Sequence, residues 1–378
     1  MTAGHQRRRY LDAAATSWPK PDTVLDAWND ATRRIGATAG RAAYREALEA
    51  DAVRERARRA VAGLLGGVDP RRVAMPLGCT LALNQAIHGL LRAGDHVVAT
   101  AADHNATLRP LHHMARHGMI TLSIVPCDGA GRVDPDDVAR AWTPATRWLV
   151  FSHASNVTGA VHDVATLAAI AHARGGLVVL DAAQTLGVVQ CSAPGFGADV
   201  VVAPAHKWLQ GTAGVAVLWA RDGVDIAPMI QGGTGSTSES LDMPDIMVER
   251  LEAGTPDVPA LAALQAAADW VASRGLIGTG GGLAADAAER LAAVKGVRVM
   301  AAPGVPIVSF VVEGYAPADV AAIMELSAGA QVRAGYHCAA CVHEHLGTRD
   351  AGTVRASFGP FTTSDDVDAV VGAVEAIA

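Results

Sequence analysis

The chain has 378 residues, half of them hydrophobic and 18% charged, which excludes a disordered polymer and suits one large domain beside a smaller one. A net charge of −7 with no long basic run argues against nucleic acid as a partner. The polar N-terminus, the lack of an apolar run of about 18 residues and five cysteines without scaffold spacing lead us to expect a cytoplasmic protein with no membrane span.

The basic run Arg7-Arg8-Arg9 is followed by arginines scattered from Arg33 to Arg59. That stretch also carries Glu46, Glu49, Asp51 and Glu55, the mixture expected of a solvated helical face. A Leu77-Gly78-Cys79-Thr80 turn precedes a helix-like segment at 81–91. Short apolar runs then alternate with amphipathic segments as far as about 217. Strands are expected at 96–99, 122–125, 148–151, 177–180 and 200–202, with a further apolar run at 214–219, and helices at 108–116 and 164–174. Strands that are apolar throughout, rather than at every second residue, mark a mainly parallel sheet covered on both faces. Residues 232–240 are polar and glycine-rich, so an exposed loop is expected there. Alanine-rich helical sequence fills 258–295, with Gly280-Gly281-Gly282 as a local break. Two strand-like runs at 297–300 and 307–312 and a closing helix from about 365 complete the chain. The implied fold class is α/β: a large domain over 18–255, and a smaller α+β domain made of 1–17 together with 256–378.

Ligands of open parallel sheets bind beyond the carboxyl ends of the strands. Four predicted strand ends carry polar side chains: His104, Asn156, Asp181 with Gln184, and the pair His206-Lys207. An aspartate in such a place is commonly a cap or turn residue, and a Gly-x-Thr before a helix is common too. The lysine is harder to set aside, because lysine occurs only at 20, 207 and 295. Arginine stays protonated and forms no imine, whereas a lysine of lowered pKa does. Pyridoxal phosphate needs such a set. Its aldehyde takes a lysine, its ring nitrogen a carboxylate, and its phosphate a helix N-terminus with small hydroxyls, which the Gly78-Cys79-Thr80 turn offers.

The motifs Asp181-Ala182-Ala183-Gln184, Ala205-His206-Lys207, Arg250-Leu251-Glu252-Ala253-Gly254-Thr255-Pro256, Val332-Arg333-Ala334-Gly335-Tyr336-His337-Cys338-Ala339 and Thr353-Val354-Arg355-Ala356-Ser357-Phe358-Gly359 resemble those of class V aminotransferase-fold enzymes. Within that fold the chain is most similar to cysteine desulfurases and selenocysteine lyases, from about Tyr10 to the C-terminus. The resemblance implies a type I pyridoxal-phosphate fold and roles for single residues. Lys207 would form the imine and then move the substrate α-proton. Asp181 would pair with the ring nitrogen, Gln184 would touch the phenolic oxygen, and His104 would stack on the ring and serve catalysis. Thr80 and His206 would hold the phosphate, with Cys79 and Ala183 as further cofactor contacts. Asn156, Arg333 and Arg355 would bind the substrate, Arg355 by a two-pronged grip on its carboxylate. Thr234, with Ser236 as the alternative, would reach the phosphate of a neighbouring subunit, which makes a homodimer with shared active sites the expectation.

Cys338 would be the nucleophile that takes the substrate sulfur as a persulfide, with Arg333 and His337 as candidates to lower its pKa; the bland reading is a buried structural cysteine. Two departures from the family pattern stand out. Pro204 occupies a position where many relatives carry Ser or Thr toward the phosphate. Cys341 follows Cys338 at a spacing that leaves three readings open: an inert thiol, a resolving thiol that attacks the persulfide, or a metal site with His343 and His345. No metal is expected. The implied activity is L-cysteine desulfuration to L-alanine. The alternatives are β-elimination from a cysteine conjugate or selenocysteine, and a scaffold that hands persulfide to an acceptor protein.

Overall fold

A computed structural model describes residues 7–40, 42–278, 281–300 and 304–378. Arg9–Tyr10 (β1) is followed by helices Asp22–Asp30 (α1) and Arg45–Leu64 (α2). Val73–Ala74 (β2) opens the main sheet. The chain then alternates through Cys79–Leu90 (α3), His96–Thr100 (β3), Asn105–Arg116 (α4), Thr121–Val125 (β4), Pro135–Ala141 (α5) and Thr146–Ser152 (β5). Val164–His172 (α6), Leu177–Asp181 (β6), Ala193–Phe196 (α7), Val200–Pro204 (β7) and Ala216–Ala220 (β8) complete this unit. The strands lie in the order β2-β8-β7-β6-β5-β3-β4. From β7 to β4 neighbours run parallel, whereas β8 is antiparallel to both β7 and β2. The link 205–215 carries no helix and is too short for a parallel crossover, so β8 has to turn back.

Successive side chains of these strands point to opposite faces, and both faces are apolar. Val98, Leu149, Phe151, Val178, Leu180 and Val201 pack in one core with residues of α2, α6 and α9 (Val258–Ser273). Val97, Ala99, Val150, Val179 and Val200 pack in the other with α3 and α4. Full burial of a side chain such as Phe151 contributes about 2–3 kcal/mol. This two-sided burial is the physical content of the continuous apolar runs.

After Met247–Leu251 (α8) and α9 come Gly281–Ala293 (α10), Val297–Met300 (β9) and Ile307–Val312 (β10). Pro317–Ala328 (α11), Ala330–Gln331 (β11), Arg333–Gly335 (β12), Val342–His345 (α12), Thr353–Ser357 (β13) and Ser364–Glu375 (α13) follow. A second, antiparallel sheet runs β12-β13-β10-β9, and β1 pairs in parallel with β11, which brings the N-terminal strand to this part of the chain. No described helix is long and apolar enough to cross a membrane.

Two expectations change. The arginine-rich stretch is not one solvated helix. A π-helical segment at Ala31–Ile35 continues α1 and ends at Gly36, helix resumes only at Arg45, and Arg58 is buried against Glu55 and Glu252. Gly281 and Gly282 do not break a helix but begin α10; Gly280 lies outside the described residues. The segments that became β12 and β13 were legible only as motifs, because β12 is three residues long and β13 buries the guanidinium of Arg355.

Candidate active site

Parallel pairing puts the carboxyl ends of β3, β5, β6 and β7 on one side of the sheet. The polar residues after each therefore converge. A cavity of about 260 Å3 is lined by Cys79, Thr80, His104, Asn156, Asp181, Ala183, Gln184, His206, Lys207, Arg333, Cys338 and Arg355. Every site residue expected from the sequence is there except Thr234. That residue lies in the loop between β8 and α8, where its hydroxyl donates to the Ser236 carbonyl (3.2 Å), while the Ser236 hydroxyl donates to Glu249 (2.5 Å).

Lys207 follows β7 and faces the cavity; burial lowers its pKa, against the pull of Cys79 and Asp181. A neutral amine is the form that attacks an aldehyde. Asp181, at the end of β6, is 3% exposed; Oδ1 accepts the Ala183 N–H (2.9 Å), and burial raises its pKa. A carboxylate so enclosed needs a cationic partner, and a protonated ring nitrogen is one. The N-terminus of α3, with Cys79 and Thr80 at its first turn, borders the same space and carries the positive end of a helix dipole. Amine, acid and helix end together match the three chemical groups of pyridoxal phosphate.

The imidazoles here are neutral. His104 accepts the Ala106 N–H at Nδ1 (2.9 Å), so its proton sits on Nε2. Burial, then the nearby Lys207 and Arg355, push its pKa down to about 4. His206 is also held down, to about 4, by burial and then Lys207 and Lys20. Its carbonyl accepts from Ser17 N (2.8 Å), Lys20 Nζ (3.0 Å), Ser17 Oγ and Thr16 Oγ1 (3.1 Å each), which ties the peptide before Lys207 to the N-terminal segment. Gln184 is held by Trp208 Nε1 donating to Oε1 (2.7 Å) and by its own Nε2 donating to the Ala14 carbonyl (3.1 Å), which leaves one amide hydrogen for a ligand.

Sequence reasoning missed two acids. Asp12 receives Arg355 Nη2 (2.7 Å) and lies 3.9 Å from Arg333 Nη1, so it holds both guanidiniums at the cavity. Asp103 is fully buried. Its two oxygens accept Thr100 N and Ser152 N (2.7 Å each), which joins the ends of β3 and β5 beneath His104, and burial pushes its pKa up to about 7. Position after a strand was the available signal for Asp103, since the predicted strand 96–99 ends four residues before it. Nothing local marked Asp12.

Cys338 is an exposed thiol rather than a buried structural one. His337 and Cys338 both have positive φ (50° and 58°), and Ala339 N donates to the Tyr336 carbonyl (2.9 Å) around them. Two successive left-handed residues inside such a bond are the pattern of a type I′ turn, which favours Asn-Gly. His337, the candidate beside the thiol, is buried. Burial, then Arg355 and His343, push its pKa down to about 2, so it carries no charge. Cys341 is half-buried, and burial raises its pKa. His343 has both nitrogens engaged, with Thr348 Oγ1 (2.7 Å) and the Tyr336 carbonyl (3.2 Å). Among the described residues no three His, Cys, Asp or Glu side chains converge as a metal would require, so the Cys338–Cys341–His343–His345 metal reading has no geometric basis.

The chain matches the class-V aminotransferase family over residues 9–370. A probable cysteine desulfurase of Pseudomonas putida is 33% identical, with 98% of this chain and 94% of that protein covered. The cysteine desulfurase CsdA of Escherichia coli is 30% identical, with 97% and 93% covered. An apo cysteine desulfurase from Thermococcus onnurineus superposes with a TM-score of 0.91 at 28% identity, covering 98% of this chain and 94% of its own.

Proposed function

The chain belongs to the class-V aminotransferase family of pyridoxal-phosphate enzymes, and from that premise we propose that it is an L-cysteine desulfurase which passes the substrate sulfur to Cys338 and releases L-alanine. One observation carries this reading: an exposed thiol on a turn lines the same cavity as a pKa-lowered lysine and a buried aspartate. An enzyme that only eliminated from Cβ would have no use for that thiol.

When bound, pyridoxal phosphate supplies the electron sink that loosens the bonds at the substrate Cα. Asp181 would hold the ring nitrogen protonated, Gln184 would donate its free amide hydrogen to the phenolic oxygen, and His104 would lie against the ring. Thr80 and His206, beside Cys79 and Ala183, would hold the phosphate. Lys207 Nζ takes the α-proton and returns it to the departing product. Arg355 and Arg333 attract the substrate carboxylate, and Arg355 is the better placed because burial removes competing water. Cys338 Sγ forms the new S–S bond as the substrate's Cβ–S bond breaks and Cβ gains a proton.

Thr234 would complete the phosphate site of a second copy, making a homodimer. The exposed apolar side chains of Ile230, Leu241 and Ile246, in and beside its loop, support this. The large and small domains would divide at 18–255 against 1–17 with 256–378, with α9 packing back into the core of the large one. The exposure of Cys338 suits delivery of its persulfide to an acceptor protein, and five free cysteines suit a reducing, cytoplasmic setting. The test is the absorbance of the purified protein beside Lys207→Ala, with product analysis of Cys338→Ala. A visible imine band lost with Lys207, and alanine production lost with Cys338, are expected. Pyruvate as the product, insensitive to Cys338→Ala, would replace desulfuration by β-elimination.

A further inference from the structure

The turn that carries Cys338 is tied to its own sheet, where His337 Nε2 meets Thr353 Oγ1 (3.0 Å), and also to the cofactor side of the cavity. Left-handed backbone at two successive residues that both bear a Cβ is unfavourable unless the surroundings impose it. Two bonds to the turn's own carbonyls come from the main-sheet side. Asn105 N, a first-turn donor of α4 with no partner inside its helix, donates to the Cys338 carbonyl at 2.7 Å. Asn156 Nδ2 donates to the His337 carbonyl, also at 2.7 Å. Both donors sit just after strand ends of the main sheet, one residue from His104 and four residues past β5. Asn156 is itself fixed, because Arg355 Nη1 donates to its backbone carbonyl (2.9 Å) and the residue is 5% exposed. Its Oδ1 is buried without a partner, so the amide spends its only bond within the chain on the turn.

We propose that Asn156 is a positioning residue for the sulfur step: its side-chain amide, bonded to the His337 carbonyl, keeps the left-handed His337–Cys338 pair closed against the cavity and so sets where Cys338 Sγ stands. This rests on the reading of Cys338 as the sulfur acceptor. The sulfur step then depends on Asn156 through Cys338 in addition to any contact Asn156 makes with a ligand. It also gives the turn its odd composition a reason. An unheld His-Cys pair would leave these angles; a held one has one position.

The experiment separates the two kinds of dependence in the holoenzyme. Single-turnover persulfide formation on Cys338 is followed by mass spectrometry after mixing with L-cysteine. Affinity for L-alanine, which bears the carboxylate but no sulfur, is followed by the change in cofactor absorbance. Asn156→Ala should slow persulfide formation about tenfold more than it weakens L-alanine binding. In a His337→Gly background, which removes the Cβ that makes positive φ costly and also the ring's bond to Thr353, Asn156→Ala should cost a much smaller excess, measured against His337→Gly alone. Asn156→Asp, of the same shape but presenting an oxygen to the His337 carbonyl, should reproduce the selective loss should the alanine variant not fold. Equal losses in both measurements, unrelieved by glycine at 337, would overturn the proposal and leave Asn156 a ligand contact only. A wild-type enzyme that forms no persulfide on Cys338 would instead overturn the desulfurase reading beneath it.

Discussion

Gly352 tests whether a displacement remote from the cofactor reaches the nucleophile. It has φ +78°, and a Cβ added there would lie 2.3 Å from both the carbonyl carbon and oxygen of Gly335 and 2.9 Å from its Cα. Uncrowded contacts need about 3.5 Å, and backbone cannot rotate away as a side chain can. Gly352→Ala must therefore push β12 and β13 apart by about 1 Å at their Gly335–Thr353 end. The left-handed strain and the overpacking together cost about 3 kcal/mol. Gly335 leads directly into Tyr336 and the Cys338 turn, so the shift is passed to the thiol. A misplacement of about 1 Å at a reacting group costs roughly 100-fold in rate. Lys207 and Asp181 stand on the other sheet, so cofactor uptake should survive. Gly347→Ala is the control: φ is +63° but nothing lies within 4 Å of its Cβ, so it carries the strain without the push. The assay is cofactor absorbance together with single-turnover persulfide formation for both variants. Persulfide rates of Gly352→Ala within about threefold of Gly347→Ala, with the absorbance band intact, would refute the reasoning.

Three further outcomes are expected. Asp103 binds its proton more tightly when folded, so its contribution to stability is full below the ordinary carboxylate pKa and is lost as pH rises toward about 7. Urea midpoints of wild type relative to Asp103→Asn should fall between pH 4 and 7, by on the order of 4 kcal/mol in unfolding free energy, and then level off; a pH-independent gap would contradict the buried-acid account. Arg58→Met should destabilise by about 3–5 kcal/mol, since Glu252 is left buried with only the Met75 N–H (2.8 Å), and Arg58→Met with Glu252→Gln should recover most of it in denaturant titrations. Cys341→Ala should leave the lifetime of the Cys338 persulfide unchanged, because burial keeps the Cys341 thiol protonated and poorly nucleophilic. A longer-lived persulfide in that variant would restore the resolving-thiol reading.

The cofactor chemistry was legible because parallel α/β sheets send all their strand ends to one side. Finding Asp181, Lys207, His104 and Asn156 after separate apolar runs was enough to predict that they meet. The scarcity of lysine made Lys207 conspicuous, though the same scarcity could have drawn attention to Lys20 on the His206 carbonyl. What stayed hidden depended on long-range contact. Asp12 lies far along the chain from the Arg355 it holds, and Asp103 looks like any residue of a short turn until the Ser152 N–H reaches it. His337 misled for a related reason. An imidazole beside a cysteine suggests a cation, but its burial against Arg355 keeps it neutral.

From its sequence alone the chain declares an α/β fold, a convergence of amine, acid and helix end, and a thiol on a loop, because these follow from local hydrophobic pattern and from the one-sided geometry of parallel strands. Only the tertiary structure decides how that thiol is held. Its left-handed turn is unfavourable by itself and is kept by hydrogen bonds from distant parts of the chain, Asn105 and Asn156 on the main-sheet side and Thr353 on the side of its own sheet.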